Sequence, residues 1–140
     1  MSTGYLLDTN VVSEVRKRTP DPQVMEWVDS INGPALYLST MVLGEIRYGV
    51  ERIRQRDSRR AETIDVWLDA VYRDFRDRII PVTADIAEEW GRLRTVCPLP
   101  AVDGLLAATA LIKGWTLVTR NVKDVAGTGV RVLNPFEPIV

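Results

Sequence analysis

The sequence contains no histidine. That absence excludes Ser-His-Asp and Cys-His catalysis and every imidazole-ligated zinc or iron site. Cysteine is nearly absent as well. Cys97 stands alone, so neither an internal disulfide framework nor a cysteine-based zinc site can form. With no His to activate it, Cys97 reads as an inert thiol, packed or partly exposed, and it fits a reducing compartment. No apolar run approaches the ~18 residues that a membrane-spanning helix needs. The start, MSTGYLLDTNVV, lacks a basic segment and reaches Asp8 too early for a signal peptide. The protein is therefore expected to be soluble and cytoplasmic, with no membrane partner. A charge excess is missing too: the formal net charge is −1. A nucleic-acid binder so balanced must concentrate its positive charge locally. Any hydrolytic chemistry must rest on carboxylates, Lys, Tyr, Ser or a hard metal ion.

What is present suits one compact domain, residues 1–140, with 46% hydrophobic residues, four Trp and four Tyr to fill a core. A short apolar run, residues 4–7, ends in Asp8. Asn10 is placed to cap a first helix over residues 11–18, which Pro20 and Pro22 terminate. Val24, Met25, Trp27, Val28 and Ile31 recur at helical spacing up to Gly33-Pro34. Residues 35–39 predict a strand and 41–53 a helix with Val42, Ile46, Gly49, Val50 and Ile53 on one face. Residues 54–60, RQRDSRR, predict a solvated connection. From Ile64 to Phe75 the i, i+3, i+4 rhythm predicts a long amphipathic helix. A strand over 79–82 and a helix over 84–96, capped by Thr83, precede the rigid connector CPLP. Residues 101–113 are apolar on nearly every face and predict a buried helix ended by Gly114. Strands over 115–119 and 130–133 flank a loop or short helical turn. Strands alternate with helices throughout, which predicts a three-layer α/β/α fold around a mostly parallel sheet of about five strands.

In an open parallel sheet, ligands bind beyond the carboxyl ends of the strands. Asp8 follows the first strand directly. Glu45 lies in the first turns after the second strand, and Asp124 in the loop after the fourth. Asp103 sits in the first turn of the apolar helix, the only charge between Arg94 and Lys113. Each has a plainer reading: a helix-starting acid, a solvent-facing helix residue, a complement to a helix dipole, and an ordinary loop Asp. Brought together without basic partners, four carboxylates repel one another and lose solvent. Bound divalent cations relieve this, and oxygen-only ligands select Mg²⁺ or Mn²⁺. Such ions activate water for phosphodiester hydrolysis without His and without a nucleophilic side chain.

LLDTNVVSE (6–14), LGEIRYG (43–49), DGLLAATA (103–110) and VTRNVKD (118–124) resemble, in order and spacing, the four acidic motifs of VapC-type PIN-domain toxins, especially the FitB-like branch. The closing LNPF (133–136) is similar to that branch too, and the resemblance covers essentially the whole chain. It implies a Mg²⁺- or Mn²⁺-dependent endoribonuclease, the toxin of a type II toxin–antitoxin pair. Asp8 and Asp103 then resemble the principal metal ligands. Glu45 and Asp124 resemble the remaining acids, which bind metal through water or a second ion and orient the attacking water. Asn10 and Thr119 resemble supporting polar residues, although helix capping and strand-end hydrogen bonding explain them equally well. Two departures stand out: Val125 where the family often has Phe, and the stiff CPLP before Asp103.

Arg47, Arg52, Arg54, Arg56, Arg59 and Arg60 form one basic group, and Arg16, Lys17 and Arg18 another. Such runs are either solvated faces or a phosphate-contacting rim for RNA. Arg120 adjoins the proposed site and is the best single candidate for a substrate phosphate contact. No recognition motif with stacking aromatics is present, so sequence preference is unreadable. Trp27, Trp67, Tyr72 and Phe75 read as core rather than interface. The resemblance further implies a homodimer, assembling as a dimer of heterodimers with a small VapB/FitA-like antitoxin that lays a helix in a groove on segments 41–53 and 63–75. Four competing readings remain. An aspartyl-phosphate phosphohydrolase needs a second acid two residues after Asp8, where Asn10 stands. A dinucleotide-binding enzyme needs a G-x-G-x-x-G that is missing. The others are a catalytically silent PIN module that binds RNA or a protein, and a DNA-directed nuclease.

Overall fold

The computed structural model describes residues 3–138. Five strands form one sheet: β1 (Tyr5–Leu7), β2 (Leu36–Ser39), β3 (Ile79–Ile80), β4 (Thr116–Val118) and β5 (Val132–Leu133). Their order is β3-β2-β1-β4-β5 and every pairing is parallel. Leu6 is in register with Tyr37 on one side and Leu117 on the other. Seven α-helices connect and cover the strands in a three-layer α/β/α arrangement: α1 (Thr9–Arg16), α2 (Pro22–Ser30), α3 (Thr40–Arg54), α4 (Ser58–Phe75), α5 (Ala84–Val96), α6 (Ala101–Lys113) and α7 (Val122–Val125).

A parallel sheet is covered on both faces, so its strands can carry apolar residues at successive positions. Leu6, Leu38, Leu117 and Val118 are accordingly sealed from solvent. The apolar helix α6 is buried from Leu106 to Ala110, as its composition predicts, and reaches water at its two ends. Gly114 ends it in the left-handed conformation, with φ 72°. No single helix among the described residues is long and apolar enough to cross a membrane.

Three local features differ from the sequence reading. The first helix starts at Thr9, and its cap is Asp8, whose carboxylate accepts the Thr9 N–H at 2.6 Å. β1 ends at Leu7, so extended Asp8 occupies the half-helical position and Asn10 falls inside the helix. The charged connection shrinks to residues 55–57, because Asp57 caps α4 by accepting the Arg60 N–H at 3.1 Å. Among the expected core aromatics, Trp27 is buried and Trp67 and Phe75 are partly buried, but Tyr72 is 50% exposed.

The start of β1 is locked by an aromatic stack. Tyr37 lies over Trp115 with ring centroids 3.9 Å apart. A Cβ on Gly4 would stand 2.3 Å from the Trp115 ring. Gly4→Ala must therefore push a packed indole aside. We expect a loss of about 1–3 kcal/mol, the range for overpacking a core, read from urea unfolding with an unchanged m-value. A stability equal to the parent would show that Trp115 can shift freely.

Candidate active site

The strand order runs outward from β1 to β2 and β3, then resumes on the other side at β4. The crevice at such a switch point, beyond the carboxyl ends, is where open α/β sheets bind ligands. Asp8 and Thr119 directly follow the two central strands there. The Asp8 N–H donates to the Val118 carbonyl at 2.9 Å, which fixes one strand end against the other. The Thr119 hydroxyl donates to Asp8 Oδ2 at 2.8 Å and accepts the Asn121 N–H at 3.0 Å. Asn10 completes the brace. Its amide reaches Asp8 Oδ2 and Thr119 Oγ1, each at 3.4 Å, and its oxygen accepts the Arg120 N–H at 3.3 Å. Asp8 is thus both a helix cap and an 8%-exposed carboxylate held in one orientation by β4.

Burial raises the Asp8 carboxyl above its ordinary value, against the lowering effect of the Thr119 and Thr9 hydrogen bonds. Asp103 is raised as well, first by desolvation and then by the charges of Asp8, Asp124 and Glu45. All four sequence-predicted acids therefore act on one region of space. A cavity of about 650 Å³ is lined by Asp8, Glu45 and Asp103, with Thr9, Asn10 and Tyr48 among its other walls. Asp124, in the first turn of α7, lines an adjoining hollow of about 470 Å³ with Arg120, Lys123 and Asn134.

Glu14 provides the internal contrast. It is also buried, but it pairs with Lys17 at 2.8 Å and accepts the Asp21 N–H at 2.9 Å, which together hold its carboxyl below the ordinary range. Asp8 and Asp103 have no ion-pair partner among the described residues. Carboxylates accumulated without cations are a donor set suited to a hard divalent ion. Among the described residues no three of these side chains already stand at ligating spacing. A cation would be met through water or would draw the open carboxylates inward.

Sequence reasoning missed Thr9, whose hydroxyl donates to Glu45 Oε1 and ties α1 to α3 across the cavity. Its place between Asp8 and Asn10 was the available signal. It missed Tyr48, which lines the cavity one helical turn beyond Glu45. Arg120 stands beside the Asp124 hollow. Its backbone is tied to Asn10, while its guanidinium lies 3.7 Å above the Phe136 ring and faces the Asp124 hollow. Two arginines of the basic group around α3 and α4, Arg47 and Arg54, are internally neutralised. Arg47 pairs with Glu51 and Asp65 at 3.1 and 2.9 Å, and Arg54 with the same two at 3.0 and 2.7 Å. These pairs clamp α3 to α4. Cys97 is partly buried, and its sulfur packs closely on Gly127, where a Cβ would lie 3.0 Å away.

The PIN-domain family model matches residues 5–124. The VapC ribonuclease Y4jK of Sinorhizobium fredii is 30% identical, over 95% of this chain and 98% of that protein. The toxin FitB of Neisseria gonorrhoeae is 30% identical, over 94% and 97% respectively. The crystal structure of FitAcB from Neisseria gonorrhoeae superposes with a TM-score of 0.89 at 29% identity, covering 96% of this chain and 99% of that one. With a matching fold, four acids at one sheet edge and full-length relatives, the chain belongs to the PIN-domain family.

Proposed function

We propose that this protein is an endoribonuclease dependent on Mg²⁺ or Mn²⁺ and serves as the toxin of a toxin–antitoxin pair. The observation that carries the reading is the 650 Å³ cavity at the switch point, which gathers Asp8, Glu45 and Asp103. The names of the relatives, a VapC ribonuclease and a toxin, support the substrate and the biological role. Asp8 and Asp103 would hold the cation. Glu45, positioned by the Thr9 hydroxyl, would orient the attacking water, and Asp124 would stand at the far side of the same field. A divalent cation there supplies an activated water and a counter-charge for the phosphodiester. Thr119 and Asn10 keep the Asp8 carboxylate turned toward the cavity. The antitoxin would cover α4, whose Val66 and Tyr72 are 69% and 50% exposed.

Cleavage of labelled RNA and DNA with Mg²⁺, Mn²⁺ or EDTA tests the reaction. RNA cleavage should require the metal and fall by on the order of 100-fold or more in Asp8→Asn and Asp103→Asn, the scale for disrupting a metal site. Asn can still cap α1, so the first variant should fold. Cleavage that survives EDTA or both substitutions overturns the mechanism. RNA bound but never cut leaves the silent module, and preferential cutting of DNA leaves the DNA-directed nuclease.

The raised carboxyls also set a pH dependence. A group that binds its proton more tightly when folded favours folding at low pH, and that contribution is lost as pH rises from about the ordinary value of 3.8 through the raised one. Above that window the metal-free protein carries the repulsion in full. Asp103→Asn should therefore melt higher than the parent in EDTA at neutral pH, and saturating Mg²⁺ should raise the parent's Tm alone. Equal Mg²⁺ shifts in both proteins would place the cation elsewhere.

A further inference from the structure

Helix α3 presents three different surfaces. Val42, Ile46 and Val50 enter the core, and Arg47 and Arg54, both paired with Glu51, meet α4 through Asp65. The third surface carries Met41, Gly44, Glu45 and Tyr48, all of which line the acidic cavity. At 100° per residue, Arg52 continues that same stripe. Tyr48 is 66% exposed, and the Arg52 guanidinium stands 5.7 Å from its ring. Arg52 is the α3 arginine with no carboxylate partner among the described residues, whereas Arg47 and Arg54 are each paired twice.

The stripe is therefore ordered along the helix axis: an acid at the reaction centre, an exposed aromatic ring, then a cation that touches that ring and no carboxylate. With a rise of about 1.5 Å per residue, Tyr48 lies about 4.5 Å and Arg52 about 10 Å beyond Glu45. That is the scale of a single nucleotide. An exposed ring offers a π-face to any unpaired base, and guanidinium matches phosphate oxygens. A base held in a duplex cannot reach such a ring.

We propose that Tyr48 and Arg52 form a nucleotide subsite for single-stranded RNA, in which Tyr48 stacks the base beside the scissile phosphodiester and Arg52 contacts the next phosphate. The subsite rests on the ribonuclease reading for its position but not for its binding chemistry. It selects unpaired RNA through stacking rather than through base-edge hydrogen bonds, so it tolerates different bases.

Binding is measured by fluorescence anisotropy on the Asp103→Asn protein in EDTA, with oligouridine, oligoadenine, a duplex, and an abasic oligoribophosphate of the same length. Tyr48→Ala should weaken single-stranded binding about tenfold, the scale of one lost stack, while Tyr48→Trp retains it. Neither change should affect the abasic strand or the duplex. Arg52→Ala should weaken RNA and abasic strand alike and reduce the salt slope by about one. Because both side chains are outside the core, the melting temperatures should stay at the parent value. Unchanged RNA binding in Tyr48→Ala, an equal loss on the abasic strand, or a loss confined to complex formation with the antitoxin overturns the subsite. Cleavage by the unsubstituted protein is followed in parallel with Mg²⁺. Cleavage without a Tyr48 effect on binding removes the subsite and keeps the nuclease; the Tyr48 effect without cleavage does the reverse.

Discussion

The parallel pairing of β1 with β4 organises everything else in this molecule. It buries Leu6 against Leu117, and it continues one residue past the strand, where the Asp8 N–H meets the Val118 carbonyl at 2.9 Å. That last hydrogen bond places Asp8 and Thr119, 111 positions apart in the chain, within 2.8 Å of each other. The Asp8 carboxylate then caps α1, so the same residue sets the direction of the first helix and the floor of the cavity. Shifting β1 by one residue would move Leu6 to the opposite face of the sheet and remove Asp8 from the brace, which is why core packing and site geometry depend on one register.

The site differs electrostatically from the other places where acids are buried or crowded. There the acids are compensated: Glu14 by Lys17 and the Asp21 amide, Glu51 and Asp65 by Arg47 and Arg54. Around the cavity they are not, and Asp103 is raised by burial and by three neighbouring carboxylates. Unrelieved repulsion in a partly desolvated crevice destabilises the fold. It persists here because the sheet, closed by apolar contacts on both faces, holds the strand ends in place regardless.

The arginines divide by the same logic. A cation held by one carboxylate on its own helix and another on the neighbouring helix becomes a clamp and is lost to substrate. Composition alone treats the basic residues of α3 and α4 as equivalent. Their angular positions on the helices separate Arg47 and Arg54, which hold α3 to α4, from Arg52, which follows Glu45 and Tyr48 along the cavity stripe.

Short-range order was legible. The alternation of apolar runs with 3.6-residue periodicity, the all-round apolarity of residues 101–113 and the Gly114 stop each depend on neighbours a few positions away, and each appears in the fold. The absence of His excluded imidazole chemistry, and the placement of acids after strands directed attention to the carboxylates. What the sequence could not supply was every feature set by distant partners. Asn10 looked like the cap because capping preference is local; the end of β1, fixed by pairing with β4, gave that position to Asp8 and released Asn10 to brace Thr119. Asp57 likewise pulled Arg59 and Arg60 into α4. The Thr9 contact to Glu45 and the exposure of Tyr48 exist only once α1 and α3 lie side by side. The sequence by itself determined the elements and the identity of the acidic residues, because both are properties of local pattern. The tertiary structure alone decided the strand order, the sharing of one electric field by four acids and which cations remain free, because these are set by contacts between residues far apart in the chain.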